Sequence, residues 1–300
     1  MSWYNNSVKV EFINQYQGIV GGNVFNNIFQ RCADMEFALE KDCSSFNLEE
    51  IMDLARSFHS ADLTSVKVKM SLLRSYTQFC IEKGMSNTGL NHYSEITTAM
   101  YEGVVDRRKM AETYITREEV EEIIAAFENP RDKYIILAPY EGIYGPKLCE
   151  ITELRKKDLL GNNRIRLCTG REIIVSDLLY GIMEEAAEEY EATYINRKVR
   201  LQNTDKIYKG IDKDSVGNTD DKTLKRKYWR MRSYLERSTF GARMLYVSGF
   251  INEIGNAVEK SGGFDSATRE IGEIRKHYNS TYSIYTIKKM YKEAKFAKES

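Results

Sequence analysis

The sequence predicts a mainly α-helical protein of two domains, with a small β-hairpin in the second. Three observations lead there. Apolar residues recur at helical spacing along most of the 300 residues, and only three prolines interrupt them. A polar stretch with a basic cluster, residues 103–115 (GVVDRRKMAETYI), separates two such runs and reads as an interdomain connector. One segment, 164–175, switches to strand-like residues around a Thr-Gly turn.

In chain order, residues 1–45 read as an N-terminal helical segment, 46–110 as a helical domain and 114–300 as a second domain. Leu48, Ile51, Met52, Ala55 and Phe58 follow one helical face. Thr64 or Ser65 is expected to cap the next helix, which carries the stripe Val66, Met70, Leu73, Tyr76, Phe79 and Cys80 and ends at Gly84. Lys67, Lys69 and Arg74 lie off that stripe and should face solvent or a ligand. Thr116-Arg117-Glu118-Glu119 is a capping box, followed by Val120, Ile123, Ile124 and Phe127 at helical spacing. Further apolar helices are expected over about 131–141 and 147–154. Arg164–Cys168, a Thr169-Gly170 turn and Arg171–Val175 form the hairpin. Ser176 caps a long helix with an acidic face from Glu184 to Glu191; a polar stretch (203–221) and two or three more helices follow.

The formal net charge is zero, so no overall basic field advertises a nucleic-acid partner, and only the distribution of charge can do so. Five scattered cysteines without CxxC spacing indicate neither a disulfide framework nor a zinc site, and no cofactor or metal is expected. The N-terminus lacks the apolar core of a signal peptide, and the longest apolar stretch, Tyr134–Pro139, is too short for a bilayer. The expected setting is therefore the cytoplasm. The strongest charge cluster is KTLKRKYWRMR, with Lys222, Lys225, Arg226, Lys227, Arg230 and Arg232 beside Tyr228 and Trp229. Basic runs are usually solvated faces. Six cations in eleven residues, with the acidic face on another helix, favour a phosphate-facing surface and double-stranded DNA as partner.

Several local matches carry a resemblance to the tyrosine recombinase (phage integrase) family. Residues 46–84 (FNLEEIMDLARSFHSADLTSVKVKMSLLRSYTQFCIEKG) are similar to its core-binding helical domain. GPKLCEITELRKKDL (145–159) looks like its first catalytic box, with Gly145, Glu150, Leu154, Arg155 and Asp158 in register. The resemblance implies a helical core-binding domain and a helical catalytic-like domain that clamp DNA. In this chemistry a tyrosine attacks a phosphodiester, two arginines hold the non-bridging oxygens, and a hairpin lysine and histidines handle protons.

The departures bear on the chemistry. Lys147 stands where the first arginine is expected, keeping charge but not the planar fork. The best match to the second box, Arg243-Met244-Leu245-Tyr246, puts Arg243 at a histidine position and Tyr246 at the second arginine's. The hairpin offers Arg164, Arg166 and Arg171 but no lysine, and arginine is a poor general acid. His277 and Tyr285 keep the third-box histidine and nucleophile, with Tyr291 a rival for the latter. Losing one stabilising donor costs about 10²–10³ in rate, so the expected protein is an inactive recombinase homologue. The whole-chain pattern resembles recombinase-like repressors that maintain lysogeny in SPβ-type Bacillus prophages. That implies a sequence-specific, nucleoid-associated DNA-binding repressor, with room for a regulatory protein or peptide partner. The alternative is a divergent active recombinase using Lys147, His277 and Tyr285 or Tyr291. The expected DNA-facing cations are Lys67, Lys69, Arg74, Lys147, Arg155, Arg164, Arg166, Arg171, Lys225, Arg226, Lys227, Arg230, Arg232 and Arg243.

Overall fold

A computed structural model describes residues 3–16, 22–60, 62–86, 89–106, 113–194, 197–212, 221–237 and 239–299. The chain divides into two compact units, Met1–Met110 and Ala111–Ser300. The division falls within the expected connector, whose basic cluster (107–109) lies outside the described residues.

The first unit contains α1 (Asn6–Tyr16), α2 (Gly22–Leu39), α3 (Leu48–Ser57), α4 (Leu63–Glu82) and the short α5 (Thr98–Glu102). The α4 stripe Val66, Met70, Leu73, Tyr76, Phe79 and Cys80 is buried throughout, as its helical spacing requires. Phe12, Phe25 and Phe29 join it in one core with Phe46, Leu54 and Tyr76. Described residues of the expected N-terminal segment, from Phe12 to Cys43, thus share one core with α3 and α4. The cap of α4 is Asp62, whose carboxylate accepts from Ser65 N at 2.8 Å, in place of the expected Thr64 or Ser65. The helix begins at Leu63, one residue before the expected caps, and the Asp62 charge also meets the positive end of the helix dipole. Within the core the Lys9 ammonium lies 2.5 and 2.7 Å from the Glu36 carboxylate oxygens and 3.5 Å from Asp42. Glu36, Asp42 and Cys43 converge as metal donors do, but the ammonium already supplies the positive charge among them.

The second unit runs α6 (Arg117–Ala125), α7 (Pro130–Tyr140), α8 (Cys149–Thr152), β1 (Leu159–Gly161), β2 (Arg164–Arg166), β3 (Glu172–Ile174), α9 (Asp177–Glu188), β4 (Glu191–Tyr194) and β5 (Arg197–Arg200). It continues with α10 (Asp221–Tyr234), α11 (Ala242–Lys260), α12 (Thr268–His277) and α13 (Ile284–Glu299). Thr116 closes both halves of its capping box with Glu119. The expected hairpin is present as β2–β3, paired Arg164↔Ile174, Ile165↔Ile173 and Arg166↔Glu172, with β1 added on its edge. Ile165 and Ile173 face the core, so Arg164 and Arg166 stand on the outer face.

Two expectations are corrected. The helix expected over 147–154 is shortened because Lys147 (φ 53°) and Leu148 (φ 61°) adopt left-handed backbone, which leaves only α8. Before them Gly145 (φ 61°) lets the chain double back; a Cβ there would meet Glu150 Cγ at 2.6 Å. The acidic helix stops at Glu188, and Glu191 opens a second hairpin, β4–β5.

Helices α7 and α11 make the most extensive helix pair of this unit. They approach so closely at Gly249 that an added Cβ would lie 1.8 Å from Tyr140 O. Gly249→Ala is therefore expected to cost at least about 2 kcal/mol, within the overpacking range. Gly255→Ala on the same helix, whose Cβ would meet only Tyr291 Cε2 at 3.8 Å, should be neutral or slightly stabilising. Urea unfolding of both variants checks this; equal stability of the two would contradict the close-packed crossing.

Candidate functional site

The first box and the hairpin meet at a buried ion pair. Glu150 is fully buried (0 % exposed) and Arg171 is 16 % exposed. Arg171 Nε donates to Glu150 Oε1 at 3.0 Å and Nη2 to Oε2 at 2.6 Å. Thr169 Oγ1 (2.5 Å) and Tyr144 N (3.0 Å) complete the carboxylate's shell. The other guanidinium donors go to backbone: Nη1 to His277 O at 2.5 Å and Nη2 to Gly142 O at 3.0 Å. Four of the five N–H groups of an arginine are thereby used. Arg171, expected to face DNA, spends these donors on its own chain. A buried carboxylate with this many donors selects the nearest guanidinium, because an unpaired charge there would be costly.

The neighbouring box positions are held in the same way. The end of α7 leaves its last carbonyls without helical partners. Tyr278 OH donates to Tyr140 O at 2.6 Å, His277 Nε2 to Glu141 O at 2.9 Å, and Arg171 Nη2 to Gly142 O. A carbonyl only accepts, so Nε2 of His277 carries its proton in this contact. Tyr246, at the second arginine's place, donates to Tyr278 O at 2.6 Å, and burial pushes its phenol up to about 12. The Glu141 carboxylate accepts from Arg117 Nη1 (2.6 Å), Ser176 Oγ (2.6 Å) and Ser176 N (2.8 Å). Glu150, Arg171, Tyr246 and His277 thus form one constellation, joined through carbonyls of the chain itself. Lys147 and Arg243 are exposed, with no partner among the described residues. Tyr285 is 80 % exposed, so it does not pack into the unit, whereas Tyr291 is half-buried against Phe264.

The remaining expected cations sort by commitment. Lys227 is not on an open surface: its ammonium lies 2.9 Å from Asp132 and from Tyr194 OH, and burial holds it below the ordinary lysine value. Lys69 is half-buried, donating to Ser60 Oγ at 2.7 Å beside the Phe58 ring. Arg155 pairs with Asp205 (2.7 Å), Arg166 with Glu172 (2.9 Å) and Lys225 with Asp221 (2.8 Å). These pairs are solvent-exposed and weak enough to be exchanged for phosphate. Arg232 Nε donates to the Arg237 carbonyl at 3.3 Å and has no acidic partner among the described residues. Lys67 is half-buried, and Arg74 is exposed beside a hollow of about 410 Å³ that it lines with Ser71, Gln78 and Asn91. On α10, Leu224, Tyr228 and Met231 enter the core, so this basic run is a core helix with a basic outer face. That face carries Lys222, Arg226 and Arg230 around Trp229, which is 66 % exposed. The sequence reading missed Arg197, Lys198 and Arg200, all exposed on β5. The alternation of Ala192 and Val199 with polar residues was the available signal.

Truncating Arg171 strands a buried carboxylate. Arg171→Ala is expected to destabilise the second unit by about 3–5 kcal/mol, whereas Arg166→Ala, on the exposed face of the same hairpin, should stay within about 0.5 kcal/mol. Thermal and denaturant melts of the two variants test this, and similar stabilities would contradict the structural role of Arg171.

Comparison with known proteins agrees with this architecture. Residues 3–82 match the family model described as "MrpR, N-terminal core-binding domain" and residues 114–298 the model described as "MrpR, C-terminal catalytic domain". The chain is also 26% identical over 212 residues to the "SPbeta prophage-derived uncharacterized protein YopR" of Bacillus subtilis (strain 168). That match covers 66% of this chain and 62% of that protein's length. The two matched domains, in this order, place the chain in the MrpR family, a core-binding domain followed by a catalytic domain of tyrosine-recombinase-like architecture.

Proposed function

We propose that this protein is a sequence-specific repressor of a temperate phage, binding operator DNA with a recombinase-like fold that does not cut strands. One observation carries the reading. The groups at and around the box positions donate to their own chain: Arg171 to Glu150, Gly142 and His277, Tyr246 to Tyr278, and His277 to Glu141. Strand transfer needs such donors free to meet the charge that builds on a phosphate. The outer face of α10 and the uncommitted Lys147, Arg164 and Arg243 support phosphate binding, which needs positive charge but no proton transfer. The prophage origin in the relative's name supports the phage setting. No helix among the described residues is long and apolar enough to cross a membrane, and the proposed location is the host nucleoid. A regulatory protein or peptide that relieves repression fits this reading.

A second reading, a divergent active recombinase, draws on the exposed Lys147 and Tyr285. A nicked suicide duplex, built on the site found by genome-wide footprinting, separates the two. The repressor shifts the duplex and leaves no covalent adduct, and Tyr285→Phe and Tyr291→Phe shift it as well as wild type. Deleting an unsupported hydroxyl costs at most about 0.5–1.5 kcal/mol. An adduct formed by wild type and lost in one Phe variant would establish the enzyme instead.

The α10 face gives a further expectation. Arg226→Ala/Arg230→Ala should weaken duplex binding and flatten its dependence of log K on log salt by about 1–2, since each phosphate contact contributes about 0.9. Its melting temperature should match wild type, whereas Lys227→Ala should melt earlier because it takes the nearest cation from buried Asp132, leaving Arg131 at 3.7 Å. Binding by the double variant equal to wild type would remove α10 from the interface.

A further inference from the structure

We infer that the β4–β5 hairpin is a second element that grips the backbone of the DNA duplex, fixed beside the basic face of α10. This inference rests on the DNA-binding reading and adds a site to it. In the hairpin Glu191 pairs with Arg200, Ala192 with Val199, Thr193 with Lys198 and Tyr194 with Arg197. Residues opposite each other in such a pair share a face. Buried Ala192 and half-buried Val199 mark the inner face, so Lys198 and Arg200 stand on the outer one. Arg197, Lys198 and Arg200 are all exposed, and none has an ion-pair partner among the described residues. Glu191 lies across from Arg200 in the register, but no acidic residue lies across from Arg197 or Lys198, so the strand carries more positive charge than its pairing needs.

The hairpin is nevertheless held firmly. An isolated two-stranded hairpin is at best marginally stable, and this one is docked by polar contacts. Thr193 N donates to Asn129 Oδ1 at 2.7 Å, and Asn129 Nδ2 donates back to Thr193 O at 2.9 Å. Tyr194 OH receives the Arg131 guanidinium and, at 2.9 Å, the Lys227 ammonium, which also lies 4.6 Å from the ring centroid. Lys227 belongs to α10, and Arg226 and Arg230 lie within one turn of it. The Tyr194–Lys227 contact therefore fixes the hairpin beside α10, so that Lys198 and Arg200 on the hairpin's outer face and Lys222, Arg226 and Arg230 on the helix's outer face belong to neighbouring elements. Burial depresses the Lys227 ammonium most, Asp132 opposes that, and Arg131 and Arg230 push the same way as burial. A duplex, with one phosphate about every 1.7 Å of axis, is the partner whose charge density matches.

The probe is a random-sequence 30-base-pair duplex, titrated by fluorescence anisotropy between about 50 and 200 mM KCl. Lys198→Gln/Arg200→Gln is expected to weaken binding several-fold and lower the slope of log K against log salt by about 2, at about 0.9 per lost phosphate contact. Lys198→Gln alone touches neither the Asn129 nor the Lys227 anchor; it should lower the slope by about 1 with an unchanged melting temperature. Wild-type slopes in these hairpin variants, alongside a lowered slope in Arg226→Gln/Arg230→Gln, would overturn the hairpin inference and leave DNA binding standing. Absence of salt-dependent binding by wild type would overturn the DNA-binding reading and the hairpin inference with it.

Discussion

The Arg171–Glu150 pair is the contact on which the second unit turns. It draws together four segments distant in sequence: the turn after α7 through Gly142, the first box through Glu150, the β2–β3 hairpin through Arg171 itself, and the end of α12 through His277. Burying two opposite charges costs several kcal/mol per ion unless the geometry is good and the remaining donors and acceptors are met. Here Tyr144 N and Thr169 Oγ1 also donate to the carboxylate, and two carbonyls take two more N–H groups of the guanidinium. The three successive carbonyls at the end of α7 would otherwise face the interior unpaired. They are met by Tyr278, His277 and Arg171, so the helix terminus is capped by side chains from remote segments.

Such capping and phosphate chemistry compete for the same donors. A guanidinium that satisfies a buried carboxylate cannot turn to a phosphate without leaving that carboxylate uncompensated, at a cost of about 3–5 kcal/mol. Lys147 stands outside this network, on a left-handed turn that Gly145 makes possible, and keeps its charge available. The unit therefore separates two kinds of cation. Arg171 and Lys227 face inward and organise the fold; Arg226, Arg230, Arg164 and Arg243 face outward and are uncommitted among the described residues.

Much of this was legible in the sequence. The stripes of α4 and α6, the Thr116 capping box and the β2–β3 hairpin rest on local periodicity or local hydrogen bonding, and the first-box register around Gly145 and Glu150 on the resemblance to the recombinase family. What stayed hidden depends on tertiary context. An arginine on a hairpin looks the same in sequence whether it meets a carboxylate or a phosphate, so nothing local announces the Arg171–Glu150 pair. Lys227 sits in a run of cations, and nothing local reveals that Asp132, ninety-five residues earlier, turns it inward. The left-handed pair Lys147–Leu148 carries no glycine to announce it, and β4 begins within an acidic run that continues the preceding helix by composition.

The central claim is that Arg171 belongs to the fold and not to the DNA. It is tested most directly by nitrogen-15 NMR of the arginine side chains, with and without saturating duplex. A guanidinium held by Glu150, Gly142 and His277 should give a sharp, exchange-protected Nε–H resonance that does not move when DNA is added. Solvent-exposed arginines such as Arg226 and Arg230 should shift in the same titration. An Arg171 resonance that is broadened by exchange in the free protein, or that shifts with the exposed arginines on binding, would contradict the claim.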